Sequence, residues 1–238
     1  MPTTVNGIGT AVCGGGGHVK WGGPPDFDAV ECFVVLYVPL IPYKAIHTFD
    51  WNGNAYRAIP IRWSGALVFR AFLRRWLWLV VVLGVICLCV GLFGDREPPT
   101  LRLLLGLIAV ATCAGSGLCW WLLAETDRRN RDLRTVLGKH QLGSSDPATW
   151  TDDILSDIND PRQAYNADTF EEAAERLLKE GRFSSAMWAA RLCAALEDPA
   201  RGEELTDEIL RDPDVQQALA EVRRNPMRWS LEMDRPMR

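Results

Sequence analysis

The sequence predicts a membrane protein in which a two-helix transmembrane hairpin lies between a small N-terminal antiparallel β module and a small C-terminal α-helical domain. Three observations support this fold class. Two long apolar runs without any charged residue occupy about residues 76–93 and 103–124. A segment rich in β-branched and aromatic residues precedes them, and a charged segment with helical periodicity follows them. We therefore place the domains at residues 1–64, 65–127 and 128–238.

Each apolar run is long enough to cross a membrane as a helix, because a hydrocarbon core of roughly 30 Å needs about 17–25 helical residues. The polar segment between the runs, residues 94–100, is a short turn, so both soluble ends lie on one side. A pair of core helices in a soluble protein is the alternative, but such long uncharged runs are uncommon in globular cores. A cleaved signal peptide is not expected, because the first run follows a long β-like segment.

The arginines beside the two runs predict the orientation of the hairpin, because cytoplasmic segments carry an excess of basic residues. Seven arginines flank the hairpin on its soluble side and two lie near the turn: Arg70, Arg74, Arg75, Arg128, Arg129, Arg131 and Arg134 against Arg96 and Arg102. Tryptophans favour the headgroup boundary, and four of them mark the soluble-side ends of the runs: Trp76, Trp78, Trp120 and Trp121. The prediction is a multi-pass protein of the cell inner membrane with both termini in the cytoplasm.

Small residues recur every four positions in the second run, at Ala109, Cys113 and Gly117. A stripe of this kind lets a neighbouring helix approach closely. We expect it to pack mainly against the first run, where Gly84 and Gly91 lie on one face. Homo-oligomerisation through the same stripe is the secondary expectation.

Charge and cysteine usage argue against two further features. Residues 125–238 carry 24 Asp and Glu against 17 Lys and Arg, a net charge of about −7. Nucleic-acid binding requires a basic surface and is therefore not expected. Disulfides are not expected either, because four of the seven cysteines lie in the apolar runs and the other three lie in segments assigned to the reducing cytoplasm.

The N-terminal module is predicted to be a three-stranded antiparallel sheet. Val30–Val38 has the β-branched and aromatic composition of a strand. Pro39 and Pro42 follow it and are expected to bend or interrupt the chain, because proline cannot donate to a β ladder.

The Asn-Gly pair at 52–53 is the clearest local signal in this module, since Asn-Gly is the preferred centre of a type I′ hairpin turn. It joins a strand over residues 43–51 to a strand over residues 54–61. A two-residue turn at this place puts Phe49 opposite Tyr56 as an aromatic cross-strand pair.

Two candidate ligand sites in this module are weighed and set aside. The run Gly14–Gly17 lacks the Lys-Ser or Lys-Thr and the spacing of a phosphate-binding loop, so it is predicted to be a flexible connection. A zinc site would need Cys13, His18, Cys32 and His47, which are isolated, whereas structural zinc sites take ligands in close pairs. We therefore predict no metal, no cofactor and no cofactor-binding residue.

The opening segment carries a family resemblance. Asn6-Gly-Ile-Gly-Thr10 together with Phe33-Val-Val-Leu-Tyr-Val-Pro-Leu-Ile-Pro42 resembles the first module of a family of uncharacterised bacterial membrane proteins. Many members of that family carry paired cysteines of zinc-ribbon type around these motifs, and this chain lacks the pairs. The resemblance covers about 40 residues. It implies a membrane location and no known activity.

The C-terminal segment is predicted to be helical. A short helix is expected over Pro147–Ile158, capped by Ser145 or Asp146. A helical hairpin is expected over Thr169–Leu196, with a turn at Gly181, and Asp198-Pro199 stops it. A further helix runs from Asp214 to Arg224 behind the Asp212-Pro213 cap, and a loosely ordered tail follows from Pro226.

The hairpin over Thr169–Leu196 resembles a single tetratricopeptide repeat in its small residues and in Phe183 two positions after the glycine. No second copy follows at the period of that repeat, and an array normally needs three or more. A generic helical hairpin of the same composition is the alternative that the sequence leaves open.

No catalytic residue is predicted, because the sequence contains no nucleophile or metalloprotease motif. The three histidines, His18, His47 and His140, are scattered along the chain. The acidic cluster has the pattern of a solvated surface and consists of Asp152, Asp153, Asp157 and Asp160. The apolar runs contain no ionisable residue to carry transport. The predicted function is a membrane-anchored scaffold or adaptor whose partners are the lipid bilayer and a cytoplasmic protein. The alternative is a membrane-anchored enzyme or small-ligand sensor with its site in the glycine-rich N-terminal module.

Overall fold

The computed structural model describes residues 4–5, 8–19, 25–36, 38–50, 56–93, 98–138, 142–157, 162 and 167–224. The chain forms a small antiparallel sheet, then two long apolar helices, then a helical region. This order of elements confirms the coarse architecture predicted from the sequence.

The sheet has five strands in the order in which the chain forms them. They are β1 Thr4–Val5, β2 Ile8–Val19, β3 Asp26–Val35, β4 Val38–Phe49 and β5 Arg57–Pro60. Antiparallel pairing joins β1 to β2 and β4 to β5. The predicted module of three strands is therefore extended by the strands at the N-terminal end.

Two details of the predicted strands are wrong. The run Val30–Val38 is not one strand, since β3 ends at Val35 and Leu36 turns the chain with a left-handed φ of 49°. Pro39 and Pro42 do not interrupt β4, which continues through both of them. The pairing of β4 with β5 begins only at Ile46. The two prolines lie before this point, so their lack of an N–H group removes no hydrogen bond between β4 and β5.

The predicted hairpin register is wrong by one residue. Phe49 lies opposite Arg57 rather than Tyr56. The Arg57 guanidinium lies 5.2 Å from the centre of the Phe49 ring, so a cation–π contact replaces the expected aromatic pair. Asp50 already has a left-handed φ of 52°, so the chain leaves the strand before residue 51 and a two-residue turn does not set the register. The Asn-Gly pair itself lies outside the described residues.

The run Gly14–Gly17 is part of strand β2 and not the flexible connection predicted from its composition. Glycine is disfavoured in strands because it offers no side chain for packing and loses much backbone entropy. Backbone hydrogen bonds to neighbouring strands do not require a side chain, and they are sufficient here to extend β2 to Val19.

Two long helices follow the sheet, α1 over Gly65–Phe93 and α2 over Pro99–Leu137. Both are long and apolar enough to cross a membrane, and only 11% of the most apolar window of each is buried within the protein. Each helix extends beyond its uncharged run and includes further helical turns that contain arginine. Trp78 and Trp120 meet edge to face with ring centres 6.3 Å apart.

The face that joins these helices differs in part from the predicted small-residue stripe. Gly84 does lie against α2, because a Cβ at this position would be 2.7 Å from Thr112 Oγ1. Ala109 is also buried, but Gly117 has no atom within 4 Å of its Cβ position. The contact face on α2 therefore runs through Ala109, Thr112 and Ser116, at the three- and four-residue spacing of a helix that packs along one seam.

The helical region begins with a 3-10 turn over Pro147–Thr149 and helix α3 over Asp152–Ser156. These two short elements replace the single predicted helix. Asp146 caps the first of them by accepting a hydrogen bond from the Ala148 amide, so the predicted cap is confirmed.

Four helices follow within the described residues 167–224: α4 Phe170–Lys179, α5 Phe183–Leu196, α6 Pro199–Arg211 and α7 Pro213–Arg224. The predicted hairpin corresponds to α4 and α5, and Gly181 turns the chain between them with φ +71°. Helix α6 was not predicted. Asp198 does stop α5, but its carboxylate also accepts from the amides of Ala200 and Arg201 and so caps α6.

Contacts divide the chain into two compact units. The first contains residues 1–14, 29–44 and 64–127, and its core lies between strand residues Cys13, Val30 and Cys32 and residue Ala71 of α1. The second contains residues 15–28, 45–63 and 128–238. Each of the two units contains part of the β module.

The core of the second unit contains Trp150, which is 1% exposed. Its indole nitrogen donates to Ser145 Oγ at 3.0 Å, and its ring packs edge to face on Trp188. A single antiparallel bridge joins Trp150 to Ile61, just after β5. This tryptophan therefore connects the sheet end and the helices of this unit.

Candidate functional site

The most unusual chemical feature of the second unit is a largely buried set of polar side chains, here called the Asp28 cluster, which comprises two contacts: Asp28 with His47 and Arg134, and Asp26 with Ser144. Strand β3 supplies the two aspartates, β4 supplies the histidine, and the C-terminal turns of α2 supply the arginine. Asp28 is central, since one carboxylate oxygen lies 2.8 Å from His47 Nδ1 and the other pairs with the Arg134 guanidinium.

Burial increases the energetic cost of breaking these ion pairs. His47 is fully buried and Arg134 is 3% exposed. An ionised group in such a place needs an opposite charge and hydrogen bonds, because leaving water is costly. Asp28 provides both for Arg134, so the cluster ties the end of α2 to strand β3.

Two buried atoms of the cluster have no hydrogen-bond partner among the described residues: His47 Nε2 and Ser144 Oγ. The backbone amide of Ser144 does donate to Asp26 at 3.0 Å, which holds the residue in place. A histidine that donates from Nδ1 to a carboxylate presents a lone pair at Nε2. The cluster can therefore accept a hydrogen bond at that atom.

A second buried network holds the helices of this unit together. The Arg191 guanidinium donates to both carboxylate oxygens of Asp146 at 2.8 Å and to Glu203 at 2.7 Å. Burial by itself would lower the pKa of Arg191, but the charges and hydrogen bonds of Asp146 and Glu203 raise it above its ordinary value. Burial likewise opposes ionisation of Glu203, yet Arg191 and Arg129 lower its pKa. Arg191 and Glu203 therefore stay charged at neutral pH.

The surface of the helical region contains a hollow of about 660 Å³, here called the acidic hollow. Helix α6 provides most of its wall, and one apolar residue comes from α4: Leu178, Glu204, Asp207, Glu208, Arg211 and Asp212. Four of the six side chains are carboxylates and one is cationic. Glu204 already pairs with Arg201, and Asp207 pairs with Arg129 and Arg211, so a cationic group that enters the hollow would compete with these arginines.

The four candidate zinc ligands do not meet as one set in the described structure. Cys13 and Cys32 lie on neighbouring strands, and the Cys32 side chain acts on the Cys13 thiol. His47 is engaged with Asp28 instead. The side chain of His18 lies outside the described part of the chain. Within that part, no group of three or more His, Cys, Asp or Glu side chains is placed to hold a metal ion.

Sequence reasoning identified no residue of the Asp28 cluster as functional. On sequence alone, His47 is treated as a possible zinc ligand and as one of three scattered histidines, and Arg134 is treated as a marker of orientation. His140 and Asp160 lie outside the described residues, and Asp152 pairs with Arg62 at 2.6 Å on the surface. Since Asp28, His47 and Arg134 belong to no local motif, their meeting leaves no signal in a single sequence.

Comparison of the chain with models of known families, with curated proteins and with solved structures found no match.

Proposed function

We propose that this chain is a two-span membrane protein and that its helical region docks a cytoplasmic partner protein through the acidic hollow. The hairpin is then the anchor, and the helical region is the adaptor surface. The observation that carries this proposal is the combination of an open, carboxylate-lined hollow with two exposed apolar helices on one chain.

The anchor is supported by the side chains that α1 and α2 leave uncovered. Large apolar residues on these helices are one-third to two-thirds exposed: Val82, Leu83, Ile86, Leu103, Leu107, Val110 and Leu118. Exposure of so much apolar surface to water is unfavourable, whereas lipid chains would cover these side chains. Trp78 and Trp120 then lie together at one end of the hairpin, as an aromatic belt would place them.

Orientation follows from the arginine excess, and we expect both termini in the cytoplasm. A reporter enzyme that is active only outside the cytoplasm should be inactive when fused after Arg238. The same reporter inserted in the turn at residue 96 should be active and serves as the matched control. Activity at the C-terminus with silence in the turn would reverse the orientation.

The partner that fits the acidic hollow is a cationic segment of a protein. Glu204, Asp207 and Glu208 lie on one stretch of α6. Leu178 adds an apolar contact for the stem of a lysine or arginine, which can lie along apolar surface while its charge meets a carboxylate. Nucleic acid is repelled by such a surface, so a basic peptide is the occupant that its charge selects.

We expect Glu208→Arg to weaken binding of a basic peptide by about tenfold, because one attraction becomes a repulsion. The probe is a fluorescent twelve-residue peptide of alternating lysine and alanine, titrated against the full chain in detergent at low salt. Glu180→Arg makes the same charge change at an exposed residue outside the hollow and is the matched control. Equal losses in the two variants would show non-specific attraction and would contradict docking in the hollow.

The resemblance of α4 and α5 to a tetratricopeptide repeat belongs to the same proposal, since such hairpins serve as docking surfaces. A second candidate function, a membrane-anchored enzyme or small-ligand sensor, is favoured by the unpartnered atoms His47 Nε2 and Ser144 Oγ. For this second function we propose the Asp28 cluster, rather than the glycine run, as the site. Charge reversal at Glu208 would leave that activity unchanged.

A further inference from the structure

The first unit contains two thiols that the docking function does not use. Cys13 lies on β2 and Cys32 lies on the neighbouring strand β3. They are 2% and 0% exposed, and Ala71 of α1 packs against them. The Cys32 thiol donates to the backbone carbonyl of Val30 at 3.5 Å, and Cys32 and Arg75 are the side chains that act on the Cys13 thiol. Both cysteines are free.

We propose that Cys13 and Cys32 form a dithiol that a small hydroperoxide oxidises to a disulfide, with Cys13 as the attacking thiolate and Cys32 as the resolving thiol. The two roles are assigned by the neighbours of each sulfur. Arg75 faces Cys13, whereas Glu31 stands next to Cys32 in β3. A cation stabilises a thiolate and a carboxylate opposes one.

The acidities of the two thiols agree with these roles. The hydrogen bond from Cys32 lowers the pKa of Cys13 most, burial opposes it, and the charge of Arg75 lowers it further, to about 7. The hydrogen bond to Cys13, burial, and the charges of Cys13 and Glu31 raise the pKa of Cys32 far above its ordinary value. Tyr43, near Glu31 and Cys32, also has a raised pKa and stays neutral. At pH 7 the Cys13 thiol is therefore about half ionised, whereas Cys32 keeps its proton.

The chemistry balances with hydrogen peroxide as the oxidant. The Cys13 thiolate attacks one peroxide oxygen, the O–O bond breaks, and hydroxide leaves, which takes up a proton to become water. Cys13 is then a sulfenic acid. The Cys32 thiol attacks the Cys13 sulfur, an S–S bond forms, and a second water leaves with the proton from Cys32. Two thiols lose two electrons, and one peroxide gains them.

Burial restricts which oxidant can react. At 2% exposure, Cys13 is reached only by a molecule near the size of water that enters during small fluctuations of the sheet and α1. Hydrogen peroxide meets this limit and a bulky disulfide reagent does not. Cys193, also buried, has its pKa raised by burial first, so it is a poor nucleophile and provides an internal control.

The test treats the full chain in detergent with hydrogen peroxide and maps cysteine-containing peptides by mass spectrometry. We expect a Cys13–Cys32 disulfide in the wild type, with Cys193 unchanged. In Cys32→Ser, dimedone added together with urea after the peroxide treatment should trap a sulfenic acid on Cys13, because unfolding exposes the sulfur to this bulkier reagent. In Cys13→Ser, Cys32 should stay unmodified. The rate should rise with pH through about 7, because the Cys13 thiolate is the reactive form.

Substitution of Arg75 tests whether Cys13 reacts as a stabilised thiolate or only because two cysteines lie close together. Arg75→Gln should slow oxidation by about threefold to tenfold at pH 7 and move its pH midpoint upward, while Arg75→Lys should retain most of the rate. An unchanged circular dichroism spectrum, together with protection from maleimide of whichever of the buried thiols Cys13 and Cys32 the variant retains, shows that the first unit is folded. The proposal is overturned if the folded wild type forms no disulfide while the urea-unfolded chain does, or if Cys32 is oxidised equally fast in Cys13→Ser.

Discussion

Replacing Arg191 by methionine is expected to lower the free energy of unfolding of the helical region by about 3–5 kcal/mol. Asp146 is 7% exposed and receives two hydrogen bonds from this guanidinium. Methionine keeps most of the side-chain volume but leaves the carboxylate buried without its counter-charge. The large effect comes from that uncompensated charge, because breaking one side of a buried pair costs far more than an exposed pair contributes.

Pulsed maleimide labelling of Cys193 in increasing urea measures this loss, since the thiol is 1% exposed in the folded chain. Arg176→Met is the matched control. Arg176 pairs with Glu172 on the surface of α4 at 3.1 Å, with both side chains more than 40% exposed, so less than about 0.5 kcal/mol is expected. A loss below about 1 kcal/mol in Arg191→Met would mean that Asp146 finds water or another partner.

Substitution of Gly202 by alanine is expected to destabilise the same region by about 1–3 kcal/mol, although alanine is the better helix former. A Cβ at 202 would lie 2.5 Å from Ala194 Cα and would overlap the Ala194 backbone nitrogen. Helices α5 and α6 would have to separate, because backbone atoms cannot move aside as a flexible side chain can. The separation would also loosen the contacts of Arg191 with Glu203.

The same labelling of Cys193 measures this second loss. Glu208→Ala changes an exposed residue of the same helix and is expected to alter stability by no more than about 0.5 kcal/mol. The double variant Ala194→Gly with Gly202→Ala tests the mechanism. Since the overlap is with backbone, removing the Ala194 methyl group should restore only a minor part of the loss. Full restoration would assign the effect to the two methyl groups instead.

Short sequence motifs predicted helix ends correctly where the stabilising hydrogen bonds join residues that are close in the chain. Asp212-Pro213 predicts the start of α7, because the Asp212 carboxylate accepts from the Asp214 and Val215 amides just beyond it. The identical pair Asp198-Pro199 was interpreted only as a stop, and α6 was missed for that reason. An Asp-Pro pair ends one helix and starts the next, since the residue before proline leaves the helical conformation while its side chain caps the following turn.

Strand details were less predictable, because they depend on the partner strand. The Asn-Gly pair suggested a register that places Phe49 opposite Tyr56, but the pairing selects Arg57. A shift of one residue exchanges the two faces of a strand, so the choice is made by the packing of the whole sheet. The glycine run was assigned to a loop by composition, and its neighbours in the sheet make it a strand.

The sequence alone determined the two apolar helices, the preceding sheet and the succeeding helices, because composition and periodicity act over a few turns or strands. Only the tertiary structure brought Asp28, His47 and Arg134 into one buried cluster and placed Cys13 beside Cys32 and Arg75. Residues that are distant in the chain meet according to strand register and helix packing. In a single sequence these choices leave no pattern, since each depends on surfaces that exist only after folding.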